Sequence, residues 1–120
     1  MSRYREFAHL QASSSLMSGV SELLLLRLLS ERQMYGYELA RAIRSNTRQA
    51  ISVGEGVLYP ILHSLEHRGW LKARRCTVNG RTRVYYALTR GGERHLTKIT
   101  QEWRRISGGV EAALLGGQHA

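Results

Sequence analysis

The sequence predicts a mainly α-helical chain with a small β-ribbon, arranged as a winged helix-turn-helix with a long C-terminal dimerisation helix. Three short segments with helical apolar periodicity come first. Two strand-like runs follow, joined by Asn79-Gly80, a dipeptide that favours a tight hairpin because both residues tolerate positive φ. A long amphipathic stretch comes last. This order of elements is typical of the winged helix-turn-helix.

Composition and charge limit the function classes. The 120 residues are 42% hydrophobic, which suits a single core without a metal or disulfide. Eighteen basic residues against nine acidic ones leave a net charge of +9, which favours a polyanionic partner. The single Cys76, the lack of an apolar leader and the lack of any stretch of about 20 apolar residues predict a cytoplasmic protein with no membrane contact.

We divide the chain into four segments. We expect residues 1–15 to form a flexible N-terminal arm, 16–89 a winged helix-turn-helix DNA-binding domain, 90–115 a C-terminal dimerisation helix and 116–120 a tail.

Three helices are expected within the DNA-binding domain. The first covers Leu16 to Ser30 and is apolar on most faces, which places it at the centre of the core. The second runs from near Tyr35 to near Asn46, with its apolar residues on one face. The third starts at Glu55, directly after Gly54, and Gly69 stops it.

The third helix carries the residues expected to enter the major groove of DNA. Gly56 and Val57 lie near its N-terminus, where the helix dipole favours phosphate, and Tyr59 and His63 lie on its exposed side. Tyr59 could equally pack over the junction between the second and third helices. Pro60 lacks an N–H and is expected to kink the first turns.

The hairpin separates basic and apolar residues onto two faces. A two-residue turn pairs Val78 with Arg81 and alternates the side chains along both strands. One face then presents four bases, which we expect to contact DNA phosphates: Lys72, Arg74, Arg81 and Arg83. The other face is apolar and should lie on the helices. No acid occurs between Glu66 and Glu93, whereas seven bases do, and we expect them to lack counterions.

The last helix has a heptad seam. Thr89 is expected to cap it, and the seam residues recur at spacings of three and four: Leu96, Ile99, Trp103, Ile106 and Val110. We expect this seam to bury itself against a second copy. Trp103 also offers a flat surface for a small apolar ligand, although a plain interface anchor explains it equally well. Gly108-Gly109 could bend the helix or end it early.

Catalytic motifs are missing from the sequence. It has no Asp, nucleophile elbow, phosphate loop or CxxC pair, so we expect neither enzymatic activity nor a cofactor. His63 and His67 are one helical turn apart and could bind a metal if Cys76 or His95 joined them, but no third ligand is evident from the spacing. No metal site is predicted.

Taken in order, several motifs resemble the PadR family of transcriptional regulators. They are Tyr35-Gly-Tyr-Glu-Leu39, Val57-Leu-Tyr-Pro-Ile-Leu-His63 and Arg83-Val-Tyr-Tyr-Ala-Leu-Thr89. The resemblance implies a homodimeric repressor whose third helix enters the major groove and whose wing contacts the DNA backbone. Relatives can bind phenolic acids or flat hydrophobic drugs near the dimer centre, and some have a Trp at the position of Trp103.

Two segments depart from the family pattern at the surface expected to meet DNA. Gly54-Glu-Gly-Val57 replaces the usual Ser-Pro-Gly-Thr, and Val84 replaces a basic residue. The leading hypothesis is a repressor that binds a palindromic site in double-stranded DNA, released by a small aromatic or hydrophobic effector. The alternatives are a ligand-binding or protein-interaction module on the same fold and a nonspecific nucleic-acid binder.

Overall fold

The computed structural model describes residues 19–116. The predicted arm and all but the first residue of the predicted tail lie outside them. Residues 19–29 form helix α1, after which come β1 (Met34–Tyr35), α2 (Gly36–Asn46), α3 (Glu55–His67), β2 (Leu71–Val78), β3 (Arg81–Leu88) and α4 (Arg90–Leu114). The chain is therefore mainly helical with one small antiparallel sheet, as predicted. No helix within the described residues is long and apolar enough to cross a membrane.

The core lies between the first three helices and the inner face of the sheet. Each helix contributes leucines or isoleucine at spacings of three or four, which is the period that places side chains on one helix face. The fully buried members are Leu25, Leu26, Leu39, Ile43, Leu58, Leu62 and Leu65. Leu71 and Tyr86 close the core from the sheet. Burial of each such side chain stabilises the fold by about 1.5–3 kcal/mol relative to exposure.

The third helix begins where the sequence predicts it. Gly54 is its N-cap, and the Gly54 carbonyl accepts hydrogen bonds from the Val57 and Leu58 N–H groups. Pro60 is exposed in the second turn, and α3 continues through it to His67.

The hairpin has the predicted register at every position, from Leu71 opposite Leu88 to Val78 opposite Arg81. Asn79 and Gly80 both have positive φ, 50° and 77°, which is the backbone of the tight turn that the sequence indicated. The alternation of the two faces follows from this register.

The sheet has a third strand that the sequence analysis missed. Met34 and Tyr35 form β1, which pairs with Tyr86 and Tyr85 of β3, so that the strand order is β1-β3-β2. The predicted two-stranded ribbon is corrected accordingly, and α2 begins at Gly36. A two-residue strand is too short to show alternation, so no periodicity could have indicated it.

The start of α4 fits closely onto the chain before β2. The Thr89 hydroxyl accepts a hydrogen bond from the Gly92 N–H (3.0 Å) and donates one to the Gly69 carbonyl (2.7 Å). The predicted Thr89 cap is thus confirmed. The helix then runs without a break past Gly108 and Gly109 to Leu114, so the early end that these glycines suggested does not occur.

Candidate nucleic-acid interface

One face of α3 is open to solvent. Gly56, Tyr59 and His63 share this face because they are spaced by three and four residues. Gly56 and His63 are exposed, and Val57, beside them in the first turn, is 48% exposed. A side chain added at Gly56 would meet no atom within 4 Å, so the backbone there is accessible to a large partner.

Tyr59 contributes both to the packing of α2 against α3 and to the exposed face of α3. Its side chain is half-buried, and a Cβ added to Gly36 would lie 2.5 Å from its phenolic oxygen. The ring therefore lies on the α2–α3 junction, which is one of the two roles the sequence left open. Burial raises the pKa of Tyr59, and the negative charge of Glu55 acts in the same direction. The phenol is neutral at physiological pH and can donate a hydrogen bond.

The outer face of the hairpin presents the predicted bases together. Lys72, Arg74 and Arg81 are exposed and Arg83 is half-buried, and the register places all four on the same side. Within residues 19–116, none of the four lies within 4 Å of a carboxylate. Unneutralised positive charge on one face is suited to a phosphate backbone.

Arg68 was expected to lack a counterion, and that expectation is wrong. Its guanidinium lies 3.7 Å from the carboxylate of Glu22 and 5.1 Å from the centre of the Trp70 ring. Trp70 in turn stacks on His95 of α4, with ring centres 3.4 Å apart, and His95 lies 3.4 Å from Glu22. These four residues join α1, α4 and the α3–β2 turn, and their separation in sequence hid the cluster from any motif search.

The candidate metal ligands do not come together. No group of three His, Cys, Asp or Glu side chains within residues 19–116 could hold a metal ion.

The predicted seam of α4 divides into two parts. Leu96 and Ile99 pack against the core of their own chain. Trp103, Ile106 and Val110 are 47%, 52% and 52% exposed, which leaves a row of large apolar side chains facing outward. Leu96 and Ile99 are half-buried, so the second part of the seam is the more exposed one.

A groove of about 360 Å³ lies between α1 and the middle of α4. Val20 and Leu23 form its α1 wall, and Ile99, Trp103 and Ile106 its α4 wall. Glu22 and Glu102 also line the groove.

Three packed helices, an antiparallel wing and an exposed third helix beside a basic wing face define a winged helix-turn-helix DNA-binding protein. Residues 25–98 match the model of the Transcriptional regulator PadR-like family, and the chain belongs to that family. It is a DNA-binding transcriptional regulator and not an enzyme.

Relatives agree with this assignment. The chain is 33% identical over 94 residues to a transcriptional regulator of Mycobacterium tuberculosis, covering 78% of this chain and 81% of that protein. A PadR family regulator from Clostridium difficile is 30% identical with a TM-score of 0.69, covering 78% of this chain and 97% of that one. A PadR-like regulator from Bacillus cereus is 28% identical with a TM-score of 0.71, covering 83% and 96%.

Proposed function

We propose that the protein is a homodimeric repressor that binds a palindromic operator and is released by a small aromatic or hydrophobic effector. The observation that carries the proposal is the exposed face of α3 beside a wing face whose four bases have no carboxylate within 4 Å in the described part of the chain. Gly56, Val57, Tyr59 and His63 would approach bases and phosphates in the major groove. Lys72, Arg74, Arg81 and Arg83 would hold the flanking backbone.

The apolar row on α4 supports dimerisation. Trp103, Ile106 and Val110 would together expose a large apolar surface in an isolated chain, and such surfaces are costly unless a partner covers them. A second copy related by a two-fold axis would cover the same row on both chains. It would also place two α3 helices on half-sites about one helical turn, or roughly 34 Å, apart.

The groove between α1 and α4 supports an effector site. Its volume of about 360 Å³ suits a small molecule, and its walls are mostly apolar, with Trp103 as the one aromatic side chain among the described residues that line it. A flat aromatic molecule could stack there. Since Trp103 and Ile106 belong both to the groove and to the dimer row, occupancy of the groove would alter the relative position of the two DNA-binding halves.

DNA binding is tested by fluorescence anisotropy with two labelled duplexes. One is the DNA immediately upstream of the coding sequence, and the other is a scrambled duplex of the same composition. Operator binding predicts a preference of about 10³ or more for the upstream duplex. Equal, strongly salt-dependent binding to both would favour the nonspecific alternative. Sedimentation at the same concentrations should give twice the chain mass of 13.6 kDa.

Two variants separate base contacts from phosphate contacts. Arg74→Ala should weaken binding to both duplexes similarly and lower the salt slope by about one unit. His63→Ala should instead change the preference between the duplexes. Arg104→Ala on exposed α4 removes the same charge away from the proposed surface and serves as the control. An unchanged slope in Arg74→Ala would contradict the assignment of the wing.

The effector site is tested without DNA. In a Trp70→Phe protein only Trp103 fluoresces, since the chain has two Trp. Titration with acridine or 4-hydroxycinnamate should quench Trp103 with saturation, and Val20→Phe, which would narrow the groove without adding a second Trp, should abolish the saturable part. Quenching that stays linear in both proteins would refute the site.

A further inference from the structure

A row of two tyrosines with an arginine at each end runs from the wing, across β1, onto α2. It consists of Arg83, Tyr35, Tyr37 and Arg41, which we call the Arg–Tyr row. The Arg83 guanidinium lies 4.5 Å from the centre of the Tyr35 ring, and Tyr35 stacks on Tyr37 at 6.4 Å. The Arg41 guanidinium lies 5.9 Å from the centre of the Tyr37 ring. Of these four residues, only Arg83 was predicted from the sequence to contact DNA.

The sheet register places the first half of this row on the basic face of the wing. Tyr35 pairs with Tyr85 of β3, and Tyr85 pairs with Arg74 of β2. Side chains of directly paired residues lie on the same face of a sheet. Arg74, Tyr85 and Tyr35 therefore lie side by side across three strands, with the Tyr85 ring edge-on to Tyr35 at 5.4 Å. Strand β1, which the sequence did not predict, therefore extends the basic face of the wing toward α2.

The second half of the row is exposed and retains its charge. Tyr37 is 52% exposed in the first turn of α2, and Arg41, one helical turn later, is also exposed. The acid nearest in sequence, Glu38, is engaged elsewhere: its carboxylate accepts a hydrogen bond from the Tyr35 N–H (3.2 Å) and lies 3.6 Å from Arg32. Within residues 19–116, neither Arg41 nor Arg83 lies within 4 Å of a carboxylate.

Stacking on a ring restricts a guanidinium without occupying its N–H donors. Cation–π contact uses the flat face of the group, whereas phosphate is bound through the N–H donors at its edge. An arginine already held in place also loses less side-chain entropy when it binds. Both ends of the row thus present a guanidinium group that is held against a ring and that no carboxylate of residues 19–116 neutralises.

We propose that the Arg–Tyr row is a continuous phosphate-contact surface, in which Arg41 and Tyr37 bind the DNA backbone beyond the wing and Tyr35 positions Arg83. This inference rests on the proposed DNA contact of the wing, and it extends the DNA footprint onto α2. The partner is the same double-stranded DNA, recognised here through its phosphates alone.

The test measures the salt dependence of binding by the full-length protein to the two duplexes described above. Both carry the same phosphates, so the result does not depend on which sequence is the operator. Each lost phosphate contact lowers the slope of log K against log salt by about 0.9. We expect Arg41→Ala to show that decrease on both duplexes and to weaken binding about tenfold near 0.1 M salt. Arg104→Ala should retain the parental slope.

The positioning role of Tyr35 has its own readout. Tyr35→Leu should lower the salt slope as much as Arg83→Ala, and the two changes combined should cost no more than either alone, because both remove one contact. Tyr35→Phe retains the ring and should retain the slope. A merely structural role would instead give additive losses in the double variant. If the Tyr35→Leu protein does not fold, the salt slope of Arg41→Ala still tests the proposal, because Arg41 is exposed.

The outcomes separate this inference from the proposed function. If Arg41→Ala behaves like Arg104→Ala while Arg74→Ala lowers the slope, the Arg–Tyr row is wrong and the wing contact stands. If Arg74→Ala and Arg83→Ala also leave the slope unchanged, the wing contact and the row fail together.

Discussion

Substitution by Ala should have opposite effects on stability at the two glycines in the first turn of α4. A Cβ on Gly92 would collide with the Trp70 carbonyl oxygen and would lie 2.6 Å from Cδ1 of Leu88. A Cβ on Gly91 would find its nearest neighbour, the Thr89 hydroxyl, at 3.7 Å, which is ordinary contact. Both residues lie in the first helical turn, so each change to Ala gains about 0.5–1 kcal/mol from helix propensity.

The magnitudes follow from these contacts. Overpacking costs about 1–3 kcal/mol, and a backbone oxygen cannot rotate away as a side chain would, so Gly92→Ala belongs at the upper end. After subtraction of the propensity gain, Gly92→Ala should lower the free energy of unfolding by about 2 kcal/mol. Gly91→Ala should raise it by about 0.5 kcal/mol. For a chain of this size, 1 kcal/mol corresponds to about 4 °C in Tm.

Thermal unfolding followed by circular dichroism, at one protein concentration, measures both variants. The expected Tm changes are a decrease of about 8 °C for Gly92→Ala and an increase of about 2 °C for Gly91→Ala. Equal melting temperatures, or a more stable Gly92→Ala, would refute the close contact between α4 and the residues before β2.

Three further predictions concern the DNA-binding half of the chain. Gly36→Ala should displace the Tyr59 ring, whose oxygen would lie 2.5 Å from the added Cβ. The loss in free energy of operator binding should exceed the loss in free energy of unfolding measured from Tm. Operator affinity equal to that of the parent protein would contradict this. Gln49 has φ of 68°, which costs a non-glycine residue about 1–2 kcal/mol. In urea unfolding, Gln49→Gly should therefore change the free energy of unfolding by between zero and a gain of about 1 kcal/mol. Gln49→Val should lower the free energy of unfolding. Burial and the charge of Glu66 raise the pKa of Tyr86 above 10.0, so the unfolded state loses its proton first and stability should fall above pH 10. Tyr86→Phe should reduce that fall, and an unchanged pH profile would contradict it.

Local patterns predicted the hairpin, the start of α3 and the cap of α4. Asn79-Gly80, Gly54 and Thr89 each act within a few residues, and backbone conformation or a single hydrogen bond decides each of them. These features could therefore be inferred from one sequence.

Contacts between distant segments could not be predicted in the same way. Glu22 meets both Arg68 and His95, and Tyr35 meets Arg83, but no spacing in the sequence indicates such pairs. The charge of the candidate interface could be predicted because it needs only composition and register. Its extension over β1 onto α2 required the packing of the chain.

The pairing of β1 with β3 also has a consequence for the order of folding. Met34 and its partner Tyr86 are separated by about fifty residues, whereas the β2–β3 turn has two. Closing so long a loop costs more entropy than closing a hairpin, and a two-residue strand returns few hydrogen bonds for it. We therefore expect the hairpin to form early and β1 to join last, with φ-values near zero at Met34 and Tyr35. The short strand β1 would open first in the native protein, so amide exchange along the edge of β3 that faces β1 should be faster than along the edge that faces β2.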